Sequence, residues 1–184
     1  MSKKQIRQII ESRTDQDGLT ETGINGVRLF RATQAIPCVP AVYEPSVVAI
    51  VSGAKEAVLD GERHVYDSSH YLCCPMSMPV QAGTPTASPD NPLFGVYVSL
   101  DQRMMTELTL EMENLGDYVP MGKGILPAQG IKLAHWDDAF SDALLRLLKL
   151  GQNETDTAVL GDARLRELSF AILKGDAGSF ARRA

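Results

Sequence analysis

Residues 47–80 read VVAIVSGAKEAVLDGERHVYDSSHYLCCPMSMPV, and the punctuation of this stretch decides the fold. Short β-branched or aromatic runs (VVAIV at 47–51, AVL at 57–59, HVY at 64–66, YLCC at 71–74) are separated by Gly53, by Asp60 followed by Gly61, and by a polar turn at 67–69. Asp-Gly between alternating strands is a strong hairpin signal, because the turn that matches strand twist needs positive φ at both central residues. The same character extends outward, to VRLF at 27–30 on one side and LFGVYVSL at 93–100 on the other. Prolines at 37, 40, 45, 75, 79, 85, 89 and 92 fall between the runs. Seven or more short strands at this spacing predict an all-β sandwich or barrel.

Outside this block the apolar period lengthens. Ile6, Ile9 and Ile10 mark a short amphipathic helix over 3–12, and the polar stretch 15–26 reads as a loop. From Asp101, apolar residues recur at 104, 105, 108, 112 and 115, with Asp101 placed to cap a helix and Gly116 to stop it. A Gly/Pro-bearing connection follows at 118–130. Trp136, Phe140, Leu144, Leu147 and Leu148 form the next helical face. A last helix is expected over 155–174, with Leu160, Leu165, Leu168, Ile172 and Leu173 on its apolar side and Gly175 at its end. Strands first and helices after give an α+β layout, a β barrel followed by a C-terminal helical annex. We divide the chain into an N-terminal arm or helix (1–25), a barrel (26–100) and C-terminal helices (101–184).

At 184 residues the chain is about one domain, long enough to bury a core without staples. Its 44% hydrophobic and 22% charged residues are those of a globular protein, and no apolar run approaches the ~18–20 residues of a membrane span. The start, MSKKQIRQIIESR, is polar and is no secretory signal. A net charge of 18 − 23 = −5 argues against this chain itself gripping nucleic acid, which needs clustered cations. The cysteines, Cys38, Cys73 and Cys74, are odd in number and offer no disulfide framework, so a cytoplasmic location is expected.

The succession of small turns in 47–80 resembles the core of a cupin, a double-stranded jelly roll. A finer resemblance is to the N-terminal effector-binding and dimerisation domain of AraC/XylS-type transcriptional regulators. It is carried by YEPS at 43–46, SGAK at 52–55 (Ser52 departs from the family's usual Gln), Tyr66-Asp67, Tyr71-Leu72, MPV at 78–80, Ala87-Ser88 and Pro92-Leu93. Further on, LRELSFAILKGDAGSFARRA at 165–184 resembles the family's exit segment. The resemblance implies a cytoplasmic sensor that binds a small effector, dimerises through its helices, and controls a helix-turn-helix DNA-binding domain. No such domain lies within these residues, so DNA would be reached only through a domain this chain lacks. We therefore read the chain as a fragment, with residues 1–25 as a movable arm over the pocket.

A small barrel can hold one small ligand. Candidates to line the pocket are Tyr43, Tyr66, Tyr71, Cys73, Cys74, Met78, Gln81, Phe94 and Tyr97, of which alternation turns only about half inward. In particular, only one of Cys73 and Cys74 can face the interior. Leu165, Leu168 and Ile172 form a stripe proposed for a two-fold dimer interface. The methionines at 76, 78, 104, 105, 112 and 121 read as gap-filling core.

No metal, cofactor or catalysis is expected. His64, His70 and His135 include no H-x-H pair and suggest no converging ligand set; His135 is placed at a helix start. There is no G-x-S-x-G, P-loop or G-x-G-x-x-G. Two alternatives stay open at this point. One is a stand-alone cupin enzyme. The other is a thiol-based sensor of electrophiles or oxidants, with Cys38, between Pro37 and Pro40 in an expected loop, the candidate for the more reactive thiol; it requires a thiol of lowered pKa.

Overall fold

A computed structural model describes residues 2–116 and 130–178. Met121 of the expected methionine set and the end of the exit segment lie outside the described residues. Helix α1 (Ser2–Arg13) is followed by nine strands: β1 (Gly18–Glu21), β2 (Val27–Ala32), β3 (Ile36–Tyr43), β4 (Ser46–Ser52), β5 (Lys55–Leu59), β6 (Glu62–Tyr66), β7 (His70–Cys74), β8 (Met78–Thr84) and β9 (Leu93–Ser99). Then come α2 (Gln102–Asn114), β10 (Lys132–His135), α3 (Asp138–Leu150) and α4 (Glu154–Lys174).

The strands form two antiparallel sheets, one in the order β1-β2-β9-β4-β7-β10 and the other β3-β8-β5-β6. The β5–β6 hairpin turns at Asp60 (φ 51°) and Gly61 (φ 78°), the paired positive φ values that its Asp-Gly sequence predicts. Gly53, at φ 77°, makes the preceding turn, and a Cβ there would sit 3.1 Å from the Pro92 carbonyl oxygen. Side-chain caps start the later helices. Asp101 accepts from Met104 N at 3.1 Å, Asp137 from Phe140 N at 2.8 Å, and Asn153 from Asp156 N at 3.0 Å.

Three layers result. Between the sheets lies one core, containing Ile50, Tyr66, Leu72 and Cys74. On the other face of the six-stranded sheet, Val47, Tyr71, Cys73 and Val96 pack under α1, α3 and α4 in a second core with Ile6, Ile10, Phe140, Leu144 and Leu147. The fold is thus the expected α+β arrangement, a cupin-like barrel with a helical annex.

Four elements differ from expectation. The segment over 15–26 contributes β1, which pairs with β2 at the sheet edge. Strand β3 runs through Pro37 and Pro40, where a loop was expected; it is an edge strand, where a missing N–H is tolerated, and its register shifts between Ile36 and Val39. Strand β10 comes from the helical third of the sequence yet pairs with β7, so His135 ends a strand rather than starting a helix. Helix α1, expected to be an arm over the pocket, instead seals the helix-side core with Ile6, Ile9 and Ile10. Trp136 precedes α3 and packs edge-on against Phe140 at 5.2 Å.

Candidate functional site

The phase of each strand sorts the sequence-selected residues. Tyr43, Tyr66, Cys74 and Met78 are buried between the sheets, and Tyr97 packs against them. Tyr71, Cys73 and Phe94 belong to the helix-side core, which removes them from the pocket. Gln81 is exposed on the outer face of β8. Of Cys73 and Cys74, the second faces the interior, as strict alternation requires of adjacent strand residues.

A cavity of about 260 Å³ opens at one end of the barrel. Its lining includes Leu19 of β1, Arg28 and Phe30 of β2, Tyr43 of β3, Lys55 of β5 and Tyr97 of β9. Lys55 was not among the sequence candidates. It is only 8% exposed, and its ammonium lies 4.8 Å from the Phe30 ring centroid, 5.6 Å from Tyr43 and 5.7 Å from Tyr97. Tyr43 and Tyr97 meet edge-to-face, 6.3 Å apart. Among the described residues Lys55 has no acidic partner and no hydrogen-bond acceptor, and burial pushes its pKa down to about 8. The Arg28 guanidinium lies 5.7 Å from the same Tyr97 ring. The one carboxylate lining the cavity, that of Glu44, accepts the Ser77 hydroxyl at 2.6 Å.

Deeper in, polar groups lack partners. The Tyr43 and Tyr66 hydroxyls are buried near one another, yet neither has a hydrogen bond of good geometry, and burial pushes both phenols well above their usual range. Thr84 Oγ1 and His64 Nε2 are likewise buried and unpartnered. Buried polar groups are ordinarily satisfied, so the Tyr43 hydroxyl, unpartnered on the wall that also carries Lys55, stands out. The signal for Lys55 was present in KEAVL. Alternation puts residues 55, 57 and 59 on one face, and Ala57 and Leu59 show that face to be the interior.

The thiols show no activation. Burial pushes Cys73 up to about 12 and Cys74 up to about 11, and the Cys74 thiol donates to the Met76 carbonyl at 3.0 Å. Cys38 is raised by burial and by Glu56, whose carboxylate accepts its thiol at 3.5 Å. A sensing thiol needs the opposite shift. His70 and His135 are cross-strand neighbours with rings 5.9 Å apart, and among the described residues no group of three metal-ligating side chains converges.

The expected dimer stripe is also redistributed. Leu168 and Ile172 are 1% exposed and belong to the helix-side core, so neither presents a free face, and Leu165 is half-buried against that core. The outward apolar residues of α4 are Val159, Leu160 and Phe170. Phe170 lines a cavity of about 400 Å³ between α2 and α4 with Leu108, Met112 and Leu115, and an Arg166–Glu111 ion pair bridges the two helices there.

A jelly-roll barrel backed by helices, with a cavity at one end of the barrel, defines a domain of the cupin-like class. Residues 23–180 match the family described as AraC-type transcriptional regulator N-terminus, and the chain belongs to that family. Among solved structures, it is similar to ToxT from Vibrio cholerae O395 bound to (E)-4-(8-methylnaphthalen-1-yl)but-3-enoic acid, with 12% identity and a TM-score of 0.54, covering 84% of this chain and 57% of that one. An unsaturated fatty acid bound wild-type ToxT from Vibrio cholerae strain SCE256 aligns at 9% identity and TM-score 0.49, over 80% of this chain and 52% of that one. A cupin protein from Bacteroides fragilis aligns at 17% identity and TM-score 0.29, over 46% and 77%. The chain spans about half the length of the ToxT chains it matches. No curated protein matches its sequence. Among the described residues no helix is long and apolar enough to cross a membrane.

Proposed function

We propose that this chain is the sensing and dimerisation part of an AraC-type transcriptional regulator, and that a small effector binds in the barrel cavity beside Lys55. The observation that carries this is a buried, uncompensated ammonium opening onto a cavity, next to unpartnered tyrosine hydroxyls. A folded protein keeps such groups where a ligand satisfies them. The ToxT structures described with small organic molecules bound support the reading that this fold accommodates an effector.

The pocket and the proposed interface would be linked through the six-stranded sheet. Its inner face bears the cavity and its outer face carries the helices. A second copy would dock on the exposed side of α2 and α4, around Phe170 and Leu115 rather than Leu168 and Ile172. An effector that favours one arrangement of the dimer shifts that population, and a DNA-binding domain elsewhere in the regulator reads the change. The functional division then follows the layers rather than 1–25, 26–100 and 101–184, because β1 and β10 belong to the barrel.

The test is a thermal-shift screen of this chain against small metabolites, with oligomeric state measured by light scattering. A ligand that binds only the folded state stabilises it by about 2.7 kcal/mol at a hundredfold excess over Kd. A stabilising ligand whose effect is lost in Tyr43→Ala would establish the site. A hit indifferent to every cavity substitution would place the effector elsewhere, and a monomer at all concentrations would remove the dimerisation role.

A further inference from the structure

The charges around the cavity say what kind of molecule it takes. Resting on the reading of the cavity as an effector site, we propose that its ligand is a monocarboxylate with a thin or flat apolar body, its carboxylate received by Lys55 inside the barrel and its apolar end directed to the mouth. Lys55 offers three N–H donors and has no acceptor for them among the described residues. The three aromatic faces around it hold a cation but leave its hydrogen bonds unmade. Arg28 approaches the same Tyr97 ring, so two cations share one aromatic wall with no ion pair between them and any acid. Glu21, opposite Arg28 in register, forms no ion pair with it, and Glu44 is engaged by Ser77. Two cations and one carboxylate leave a surplus of a single positive charge, which one carboxylate neutralises.

The orientation follows from the rim. Leu19 and Val42, at the mouth, are 51% and 65% exposed, with the Glu44 carboxylate exposed and Arg28 half-buried, while Lys55 and Tyr43 are buried. A ligand entering charge first would satisfy the ammonium and cover those two side chains with its apolar end. A neutral sugar would leave the ammonium uncompensated and the rim bare.

The experiment is calorimetric titration of the 184-residue chain at pH 7 with octanoate and 2-naphthoate, each against its primary amide. The acids should bind at least tenfold more tightly than the amides. Lys55→Met should remove that preference while leaving the amides' weak binding in place, and Lys55→Arg should keep it. Equal affinity for acid and amide, or an unchanged acid affinity in Lys55→Met, would overturn the proposal.

A second readout does not depend on how a variant folds. Acid affinity in the unmodified chain should fall between pH 7 and 9 as the ammonium loses its proton, and binding at pH 8 should take up protons. The groups facing Lys55 are Arg28, Tyr43, Glu44, Tyr66, Cys74 and Tyr97. Burial holds the three tyrosines and Cys74 above that range. His64 lies two residues along β6 from Tyr66, and His64→Gln should leave the pH profile unchanged. A flat profile would overturn the proposal.

The broader reading fails separately. Ala82 of β8 also lines the cavity, so Ala82→Phe would fill it. If the acids are silent while octan-1-ol or 2-naphthol binds and is lost in Ala82→Phe, the effector site stands and the carboxylate class is wrong. If neither acids nor neutral compounds bind, the carboxylate proposal falls, and an effector response by the intact regulator that persists in Ala82→Phe would take the site reading with it.

Discussion

The two faces of the six-stranded sheet are built to different rules. On the helix side, Tyr71 stacks on Phe140 with centroids 4.0 Å apart, and leucines of α3 fill the space around them. Unpartnered polar atoms occur there too, the Tyr71 hydroxyl and Trp136 Nε1, but the cations beside this core are part-exposed: Lys3 lies over the Trp136 ring at 5.1 Å, Arg7 lies 5.7 Å from the Phe94 ring centroid, and Arg31 pairs with Asp17 at 3.5 Å. On the barrel side, Lys55 and the Tyr43 hydroxyl line an opening without a hydrogen-bond partner, and the Tyr66 hydroxyl, Thr84 Oγ1 and His64 Nε2 are buried without one. The difference separates labour within one sheet. On the proposed reading, the helix face holds the fold together, and the barrel face gives up stability to remain receptive.

The largest test of that contrast is Phe140→Ala. The side chain is fully buried and contacts both Tyr71 and Trp136, so its removal should cost about 3–5 kcal/mol in urea denaturation. A loss below ~1 kcal/mol would mean that the helix side is not the principal core.

Lys55→Met should move stability in the other direction in the ligand-free chain, by about 1–3 kcal/mol. The lysine's pKa falls from 10.5 to about 8 on folding, a displacement worth roughly 3 kcal/mol as an upper figure. The unfolded chain binds the proton more tightly, so the penalty is complete below pH 8 and fades as pH rises from 8 to 10.5. The advantage of Lys55→Met over the unmodified chain should therefore be greatest near pH 7 and shrink through pH 9. Comparing the two chains at each pH cancels the opposite drift of the buried thiols and phenols, which lose stability as their unfolded counterparts ionise. A pH-independent difference would show that packing, not charge, sets the effect.

The neighbouring cysteines sample both faces at once. Cys73→Ser places a hydroxyl in the fully buried helix-side core and should cost about 1–3 kcal/mol. Cys74→Ser should cost less than about 1 kcal/mol, because a hydroxyl there can donate to the Met76 carbonyl that already accepts the thiol. Equal melting temperatures for the two variants would erase the distinction between the faces at this position.

How much of this was legible in the sequence depended on whether a strand shows one face to water. The turn at Asp60 and Gly61 announces itself through backbone geometry, and the opposed directions of Cys73 and Cys74 follow from alternation alone. What alternation cannot supply is phase where both faces are buried. β7 and β9 bury residues on both faces, so nothing in YLCC or LFGVYV tells which side is the barrel, and the pocket candidates Tyr71, Cys73 and Phe94 fall on the other one. β5 does carry the information: Lys55, Ala57 and Leu59 share a face. The lysine went unread because a charge in a strand suggests the solvent side. β10 escaped for another reason, since four residues are too few for a period to show. The dimer stripe failed because α4 buries one flank against α3, and a helix's apolar residues do not say which neighbour they meet.

The smallest expected effect is the most informative about purpose. Tyr66→Phe and Tyr71→Phe each delete a buried hydroxyl that has no hydrogen-bond partner, one on the barrel face and one on the helix face. An unpartnered hydroxyl contributes desolvation cost and no bond, so both variants should lie within about 0.5 kcal/mol of the unmodified chain, or slightly above it, when no ligand is present. Stability alone would then make the two faces look alike. Ligand binding should separate them. Tyr66→Phe should weaken an effector that reaches its hydroxyl, whereas Tyr71→Phe, behind the sheet, should leave affinity unchanged. Removing the same atom group from the same residue type controls for size and hydrophobicity, so a difference in affinity without a difference in stability would isolate what the barrel hydroxyl is kept for. Identical affinities would instead class Tyr66 with Tyr71 as a packing residue and confine recognition to the rim around Lys55.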